Sequence, residues 1–187
     1  CQLFSEPSAG SDVAGLRSKA VQDGENWIVN GQKVWTSGAH FSDFGILVVR
    51  HDPSLEKHKG LTFFFVDMKS PGIEVKPIKQ LTGGSSFNEV YFNDVVIPDS
   101  QRLGEIGDGW KVAITTLMNE RLAVGDADGV DANEAFELAK KHDKDGEQLI
   151  DNNAVRESIA DWYCEASGLK NTKLRTMSAL SRGDTPG

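Results

Sequence analysis

The sequence predicts an α+β protein arranged by segments, with an antiparallel β-barrel or sandwich followed by part of an α-helical bundle. Short apolar runs separated by turn residues extend to about Gly107, which is typical of an all-β unit. Apolar residues then recur at helical spacing. The 187 residues are 39% hydrophobic and 26% charged, an ordinary globular composition that excludes collagen-like and disordered chains. We therefore predict a β domain over residues 1–107 and an incomplete helical domain over residues 108–187.

The β elements are predicted from apolar runs that end at turn residues. One run, at residues 19–21, leads to Asp23-Gly24, and another, at residues 27–29, leads to Asn30-Gly31. Both residues of Asn-Gly accept the positive φ of a type I′ turn, so we predict a β-hairpin that turns at Asn30-Gly31. Further runs lie at residues 44–49, 61–66, 73–78 and 89–96. Their spacing predicts a closed or two-layered antiparallel sheet.

Two patterns predict the first helices after the β half. Trp110, Ile114 and Leu117 recur at i, i+4 and i+7, which is the spacing of one helix face. Asp131 is followed three residues later by Glu134, as in a capping box. Such a box would cap a helix that begins after Asp131.

The sequence leaves the division of the helical half open. Gly125 and Gly129 could separate two helices or lie inside one long helix. A last helix is predicted from near Asn153 to about Leu180, because an apolar stripe recurs along one face. Two helical regions lack the layers needed to bury their own stripes, so we expect this half to dock on parts of a longer chain.

Charge and cysteine content exclude several functions. The net charge is −8, so the phosphate backbone of a nucleic acid would be repelled. No apolar run approaches the roughly 20 residues that cross a bilayer, so an integral membrane protein is excluded. Cys1 and Cys164 lie far apart and the histidines lack metal-ligand spacing, so we predict neither a disulfide nor a metal site. We predict a cytoplasmic protein, and we interpret the chain, which opens without Met, as a fragment.

Two segments carry groups suited to a ligand. Residues 4–12 run from a strand end into a loop, in which Pro7 fixes φ and Gly10 permits close backbone approach. Residues 31–38 place Trp35 beside two hydroxyl groups, which suits an aromatic heterocycle with a polar rim. Taken singly, each segment also has an ordinary structural interpretation, which we favour. The first is then a tight turn, and the second holds a half-buried tryptophan that packs across the sheet.

Several motifs follow one another in a fixed order and spacing along residues 2–125. They are Ser5-Glu6-Pro7, Ala9-Gly10-Ser11-Asp12, Asn30-Gly31-Gln32-Lys33, Trp35-Thr36-Ser37, Gly107-Asp108-Gly109-Trp110 and Asn119-Glu120-Arg121. In this arrangement they resemble the motifs of the acyl-CoA dehydrogenase family. The resemblance implies a middle β domain followed by the start of a C-terminal helical domain.

The resemblance also implies FAD as the cofactor and assigns residues to it. The matching positions are Gln2, Phe4 and Ser5 lining the flavin, Gly10 and Ser11 near the FAD pyrophosphate, and Trp35, Thr36 and Ser37 flanking the flavin. Ser11 is also placed near the pantetheine of the substrate. Arg121 matches an arginine near the CoA moiety, where a guanidinium group suits anionic or carbonyl-rich ligands.

The activity that the resemblance implies is oxidation of an acyl-CoA thioester to trans-2-enoyl-CoA, as in fatty-acid β-oxidation. An α-proton is abstracted, a β-hydride passes to the flavin, and electrons then pass to an electron-transfer flavoprotein. No glutamate of the chain matches the family's base, which we expect beyond Gly187, so we name no catalytic residue and expect the isolated fragment to be inactive. The intact protein is expected to be a homo-oligomer, a dimer or tetramer. The alternatives are an acyl-CoA oxidase, a flavin monooxygenase and a noncatalytic binding module.

Overall fold

The strands of the large sheet precede the described α-helices along the chain, which confirms the predicted order. The structure is a computed structural model and describes residues 1–123, 131–144 and 146–184. It divides the chain into two units, Cys1–Leu117 and Met118–Gly187. The first unit contains the large sheet and the beginning of the first helix. Gly125 and Gly129, at which the sequence left the helix division open, lie outside the described residues.

Eight strands form one sheet in the first unit. They are β1 (Gln2–Leu3), β2 (Lys19–Asp23), β3 (Asn26–Ser37), β4 (Phe44–Arg50), β5 (Leu61–Asp67), β6 (Ile73–Pro77), β7 (Phe87–Pro98) and β8 (Arg102–Leu103). The order across the sheet is β6-β7-β3-β2-β4-β5-β8, and β1 pairs with β4 off this path. The two end strands, β6 and β8, do not pair with each other in the described part of the chain, so the predicted closed barrel is wrong. Pairing is antiparallel except that β1 and β2 each run parallel to β4.

The sheet folds back on itself around one hydrophobic cluster. Trp27 of β3 and Phe92 of β7 meet Leu47 of β4 and Phe64 of β5 in this cluster. The ring centroids of Trp27 and Phe64 are 5.4 Å apart, although two strands separate β3 from β5 in the sheet. The curled sheet therefore agrees with the two-layered alternative. Each buried side chain of this size contributes about 1.5–3 kcal/mol to folding.

A second cluster lies on the opposite face of β4 and β5. Successive residues of a strand point to opposite faces, so Val48 and Phe63 point away from the first cluster. They are covered by Phe4, from the loop after β1, and by Ala113 of α1 (Gly109–Ala123). The rings of Phe4 and Phe63 meet edge to face with centroids 5.5 Å apart. The side chain of Phe4 thus anchors the loop after β1 on Phe63 of β5.

The predicted hairpin at Asn30-Gly31 is wrong, because β3 continues through both residues. The turn lies earlier, at Gly24 between β2 and β3, where φ is +58°. At Asn30 the pairing of β3 with β7 shifts register. The Asn30 amide donates to Asp94 Oδ1 at 2.9 Å, and the Asp94 N–H donates to Asn30 Oδ1 at 3.0 Å. Gly31 is needed for packing, since a Cβ there would lie 2.3 Å from Ser18 Oγ.

The second unit contains the end of α1, followed by α2 with its predicted cap. α2 (Ala132–Lys141) has a capping box in which the Glu134 N–H donates to Asp131 Oδ1 at 2.8 Å. The Asp131 N–H donates in return to Glu134 Oε2 at 3.3 Å, which confirms the prediction. A two-stranded ribbon follows, formed by β9 (Asp143–Lys144) and β10 (Glu147–Gln148).

The last helix, α3 (Asn153–Ser181), matches the predicted bounds and is capped by Asn152. No residue of α3 is buried, and Trp162 and Leu169 on its apolar stripe are exposed. The helix therefore presents an apolar stripe that is largely exposed beyond its contact with α2, as the sequence predicts. Among the described helices, none combines the length and the apolar character needed to cross a membrane.

Candidate functional site

The two candidate segments lie side by side in the first unit. The Val34 N–H donates to the carbonyl oxygen of Ser5 at 2.9 Å. Lys33 Nζ donates to the carbonyl oxygen of Phe4 at 3.1 Å, across 29 positions of sequence. β3 and the loop after β1 are therefore joined where the two predicted segments meet.

A buried ion pair holds this junction. Lys33 is fully buried, and its Nζ donates to Glu6 Oε1 at 2.8 Å. The Glu6 carboxylate also accepts hydrogen bonds from the backbone N–H groups of Arg17 at 2.6 Å and Ser18 at 3.0 Å. Burial lowers the pKa of Lys33 to about 8, against the attraction of Glu6. Burial acts to raise the pKa of Glu6, but Lys33 and the N–H donors outweigh it and lower this pKa below its ordinary value.

Sequence reasoning missed the role of this pair. The sequence motifs contain Glu6 and Lys33 but do not indicate that the two residues pair. A signal was nevertheless available, because Lys33 lies at even spacing from the inward-facing Trp27 and Val29 on the same strand. A lysine on a buried face requires a charged or polar partner. The identity of that partner depends on the fold and not on local pattern.

Trp35 stands out from the sheet at a strained backbone position. Its φ is +58°, a value that bulky residues rarely adopt. The pairing of β3 with β7 shifts register between Lys33 and Thr36, so Trp35 lies in a bulge. The indole is 60% exposed and meets the Phe87 ring edge to face with centroids 6.1 Å apart. Trp35 is therefore more exposed than a half-buried tryptophan that only packs across the sheet would be. Its indole offers a flat apolar surface.

Thr36 is the buried polar residue next to this surface. It is 2% exposed, and its Oγ1 atom has no hydrogen-bond partner among the described residues. Its backbone oxygen is satisfied, since Asn88 Nδ2 donates to it at 2.9 Å. An unpaired buried hydroxyl costs about 1–3 kcal/mol, so a polar ligand atom at this position would be stabilising. Ser37, the next residue, is exposed and pairs with Phe87 of β7.

The residues of the loop after β1 differ in what they can offer a ligand. Gln2 lies exposed in β1, and Ser5 is half-buried. The side chain of Phe4 is directed into the second cluster and packs on Phe63, so Phe4 can meet a ligand only through its backbone. Arg121 lies in α1, but its side chain falls outside the described residues.

Gly10 and Ser11 follow a tight turn on the same loop. The turn is closed by two hydrogen bonds, from Glu6 N–H to Ala9 O at 2.8 Å and from Ala9 N–H to Glu6 O at 3.0 Å. Gly10 and Ser11 are both exposed, and a Cβ at Gly10 would meet nothing within 4 Å. The backbone at Gly10 is therefore open to an approaching ligand, and the turn also agrees with the structural interpretation of this segment.

A cavity in the second unit contains none of the predicted site residues. It has a volume of about 440 Å³. Its lining is Ala132, Asn133, Phe136, Ile150, Arg156, Ile159, Ala160, Tyr163 and Cys164. In the described part of the chain, no group of three or more His, Cys, Asp or Glu side chains could hold a metal ion.

The chain matches two family models. The model described as "Acyl-CoA dehydrogenase, middle domain" matches residues 1–95, which are more than half of the 187 residues. The model described as "Acyl-CoA dehydrogenase, C-terminal domain" matches residues 107–187. This chain belongs to the acyl-CoA dehydrogenase family.

Curated relatives and solved structures show the same likeness to acyl-CoA dehydrogenases. Acyl-CoA dehydrogenase FadE34 of Mycobacterium tuberculosis is 54% identical over 124 residues, which are 66% of this chain and 17% of that relative. Caffeyl-CoA reductase-Etf complex subunit CarC of Acetobacterium woodii is 32% identical over 188 residues, covering 97% of this chain and 48% of that relative. The structure of a glutaryl-coenzyme A dehydrogenase in complex with glutaryl-CoA is 26% identical with a TM-score of 0.85, covering 96% and 47% of the two chains. The chain thus spans half or less of the length of each of these three relatives.

The junction also fits the flavin that the acyl-CoA dehydrogenase family uses. A flavin ring is flat, and its edge carries hydrogen-bonding atoms. The exposed indole of Trp35 matches the flat surface, and the unpaired Oγ1 of Thr36 matches the polar edge. The indole keeps most of its surface exposed beside its contact with Phe87, and the Oγ1 atom has no partner among the described residues, so the residues present fit such a group.

Proposed function

We propose that the protein carrying this chain is an FAD-dependent acyl-CoA dehydrogenase that oxidises an acyl-CoA thioester to trans-2-enoyl-CoA. The observation that carries the proposal is the junction of the two segments. There an exposed indole on a strained backbone adjoins a buried hydroxyl oxygen without a partner among the described residues. Strain and unsatisfied polar groups of this kind concentrate at ligand sites, and core packing alone does not explain them.

In this proposal the junction holds the flavin end of FAD. Trp35 covers a face of the ring and excludes water, and the hydroxyl groups of Thr36 and Ser37 serve its polar edge. The remaining lining is supplied by Gln2, Phe4 and Ser5, with Phe4 contributing its backbone. The open backbone at Gly10 and the exposed Ser11 are assigned to the pyrophosphate end.

The proposed reaction removes two hydrogens from neighbouring carbons. A base takes the α-proton, and we assign this role to a residue outside the chain because no glutamate here has a matching context. When bound, FAD supplies the acceptor for the hydride that leaves the β-carbon. The contribution of the present residues is to orient the ring, satisfy its edge and exclude water.

The proposed substrate is an acyl thioester of CoA, contacted by Ser11 and Arg121. Ser11 is exposed beside the open backbone of Gly10, where a polar chain can approach. The guanidinium of Arg121 would suit phosphate or carbonyl oxygens of CoA. Two of the relatives are named for caffeyl and glutaryl groups, so the family scaffold accepts unlike acyl groups. Fatty-acid β-oxidation is accordingly one setting among several for this activity.

We further propose that the electrons pass to an electron-transfer flavoprotein and that the intact protein is a homo-oligomer. The relative from Acetobacterium woodii is named as a subunit of an Etf complex, which supports this acceptor. The exposed part of the apolar stripe of α3 supports packing against further helices.

The experiment that tests the proposed function is an anaerobic titration of the flavin-loaded protein with a panel of acyl-CoA thioesters. We expect at least one thioester to bleach the visible flavin absorbance and to yield the matching 2-enoyl-CoA. The free acids, which lack CoA, serve as controls and should leave the absorbance unchanged. A flavin-loaded protein that no member of the panel reduces would contradict the proposal.

Oxygen consumption separates the proposal from its closest alternatives. An acyl-CoA oxidase or a flavin monooxygenase would consume O₂ in step with substrate. A dehydrogenase would transfer electrons to the flavoprotein acceptor with little consumption of O₂. A noncatalytic module would purify without flavin absorbance.

A further inference from the structure

The junction is held by an unusual set of bonds. Within three residues of the loop after β1, the Phe4 carbonyl, the Ser5 carbonyl and the Glu6 carboxylate all accept hydrogen bonds from Lys33 or Val34 of β3. The carboxylate of Glu6 additionally binds two backbone N–H groups downstream of the loop. The Lys33–Glu6 ion pair thus connects three stretches of chain beside the candidate flavin site, namely the loop after β1, strand β3 and the backbone at Arg17-Ser18.

The position of the pair on β3 is informative. Lys33 is the last residue of β3 that pairs with β7 before the register shift, and pairing resumes at Thr36. The strained Trp35 lies inside this bulge. The contacts that hold Lys33 in place therefore also determine where the bulge begins. The start of the bulge in turn sets the directions of the Trp35 and Thr36 side chains.

Stability alone gives a weak reason for a buried ion pair here. Removing two charges from water is costly, and well-packed apolar residues of similar volume often replace such a pair without loss. Fully satisfied buried polar groups can instead specify a single local arrangement. A single arrangement is what a site for a rigid planar ligand requires, because preorganisation reduces the free energy spent on ordering at binding.

We propose that Lys33 and Glu6 form a positioning pair that fixes the loop of residues 4–6 against β3, so that Trp35 and Thr36 meet the flavin in one preset arrangement. This inference rests on the proposed function. The pair itself touches neither cofactor nor substrate and acts through the segments on either side of it.

The test compares FAD affinity among variants of the protein that carries this chain. Lys33→Met alone would leave the Glu6 carboxylate buried without its counter-charge, so it is combined with Glu6→Gln, whose amide oxygen can still accept from the backbone N–H groups at Arg17 and Ser18. The matched control is Arg102→Met, which removes the Arg102–Asp99 ion pair, whose Nε–Oδ1 distance is 2.9 Å. Asp99 accepts from the indole of Trp27, near the start of β3, whereas Trp35 lies near its end.

Dissociation constants for FAD are measured by flavin fluorescence, and unfolding of the FAD-free proteins is followed by circular dichroism. We expect the Lys33→Met/Glu6→Gln protein to fold and to bind FAD about tenfold or more weakly, while Arg102→Met stays within about twofold of wild type. A folded double variant with wild-type affinity for FAD would overturn the inference and leave the proposed function intact. A wild-type protein that does not bind FAD would overturn both.

A further variant, Thr36→Val, distinguishes positioning from general structural support. If the pair acts through the Trp35–Thr36 segment, its removal should weaken FAD binding much less when Thr36→Val is already present. Additive losses would show that the pair supports the fold without setting the site, and would contradict the inference.

Discussion

Thr36 combines burial with a hydroxyl oxygen that no described residue satisfies. The neighbouring Trp35 combines a large apolar side chain with exposure and a positive φ. A buried hydroxyl without a partner and an exposed indole at positive φ both disfavour folding, and the two residues are adjacent in sequence. A ligand that covers the indole and bonds the hydroxyl would bury the apolar surface and satisfy the oxygen, which is why these two residues carry the proposed flavin site.

Thr36→Val tests this interpretation of a single hydroxyl. The change keeps the side-chain volume and removes the unsatisfied oxygen, so we expect the FAD-free protein to gain up to about 1–3 kcal/mol in free energy of unfolding. The same variant should bind FAD more weakly than wild type. Chemical denaturation and FAD titration measure the two effects. A variant that loses stability without FAD would show that Thr36 Oγ1 has a structural partner and would contradict the assignment.

The sequence could identify these residues but not the direction of every side chain. The motifs around Ser5, Trp35 and Thr36 placed the candidate site on two segments, and the structure joins those segments by the Val34–Ser5 hydrogen bond. The inward direction of Phe4 depends on Phe63, which is remote in sequence. Long-range packing of this kind leaves no local pattern.

At the level of elements, α1 is positioned by a close contact at its first residue. A Cβ on Gly109 would lie 2.5 Å from the carbonyl carbon of Leu61 and 2.6 Å from the amide nitrogen of Thr62, both in β5. The helix therefore meets the backbone of the sheet directly. Ala113, one turn later, is fully buried in the second cluster. Only glycine permits this approach without a shift of the helix.

Gly109→Ala should accordingly weaken the packing of α1 on β5. We expect a loss of about 1–3 kcal/mol in free energy of unfolding, because the backbone atoms it meets cannot rotate away. The matched control is Gly168→Ala in α3, where a Cβ would meet nothing within 4 Å and where alanine should stabilise the helix by about 0.5–1 kcal/mol. Denaturant unfolding followed by circular dichroism measures both. Equal effects of the two substitutions would contradict the contact at Gly109.

Element types were predictable from the sequence, whereas one connection was not. The capping box at Asp131 and the span of α3 follow from local chemistry and periodicity, and both are confirmed. The hairpin was predicted at Asn30-Gly31 but lies at Gly24. Gly24 and Gly31 both accept positive φ, so either could hold the turn. The choice between them depends on Asp94, which pairs with Asn30 from another strand.

For the whole molecule, the layering of the sheet was predictable but its topology was not. Regular short strands indicate either a barrel or two layers. Closure depends on whether the end strands can pair, and here one of them, β8, is only the two residues Arg102–Leu103. The parallel pairs of β1 and β2 with β4 likewise depend on the path of the chain. The family models and the solved relatives agree with the resulting β-then-α order.

The exposed apolar stripe of α3 requires packing partners other than those that the described chain provides. The helix has no buried residue, and the chain spans 48% of one relative and 47% of a related solved chain. A helix with such a stripe gains stability only by packing against other elements. The sequence predicted this need because the helical half has too few layers to bury its own apolar surface.

Titration of FAD into Trp35→Ala tests whether the junction of the loop after β1 with β3 holds the flavin of FAD. The control is Trp162→Ala, which removes an exposed tryptophan of α3 in the second unit. Wild type and Trp162→Ala should bind FAD alike, and Trp35→Ala should bind it about tenfold more weakly, because an aromatic contact and its water exclusion are lost. Equal affinity in all three proteins, or no binding by wild type, would contradict this placement of the flavin.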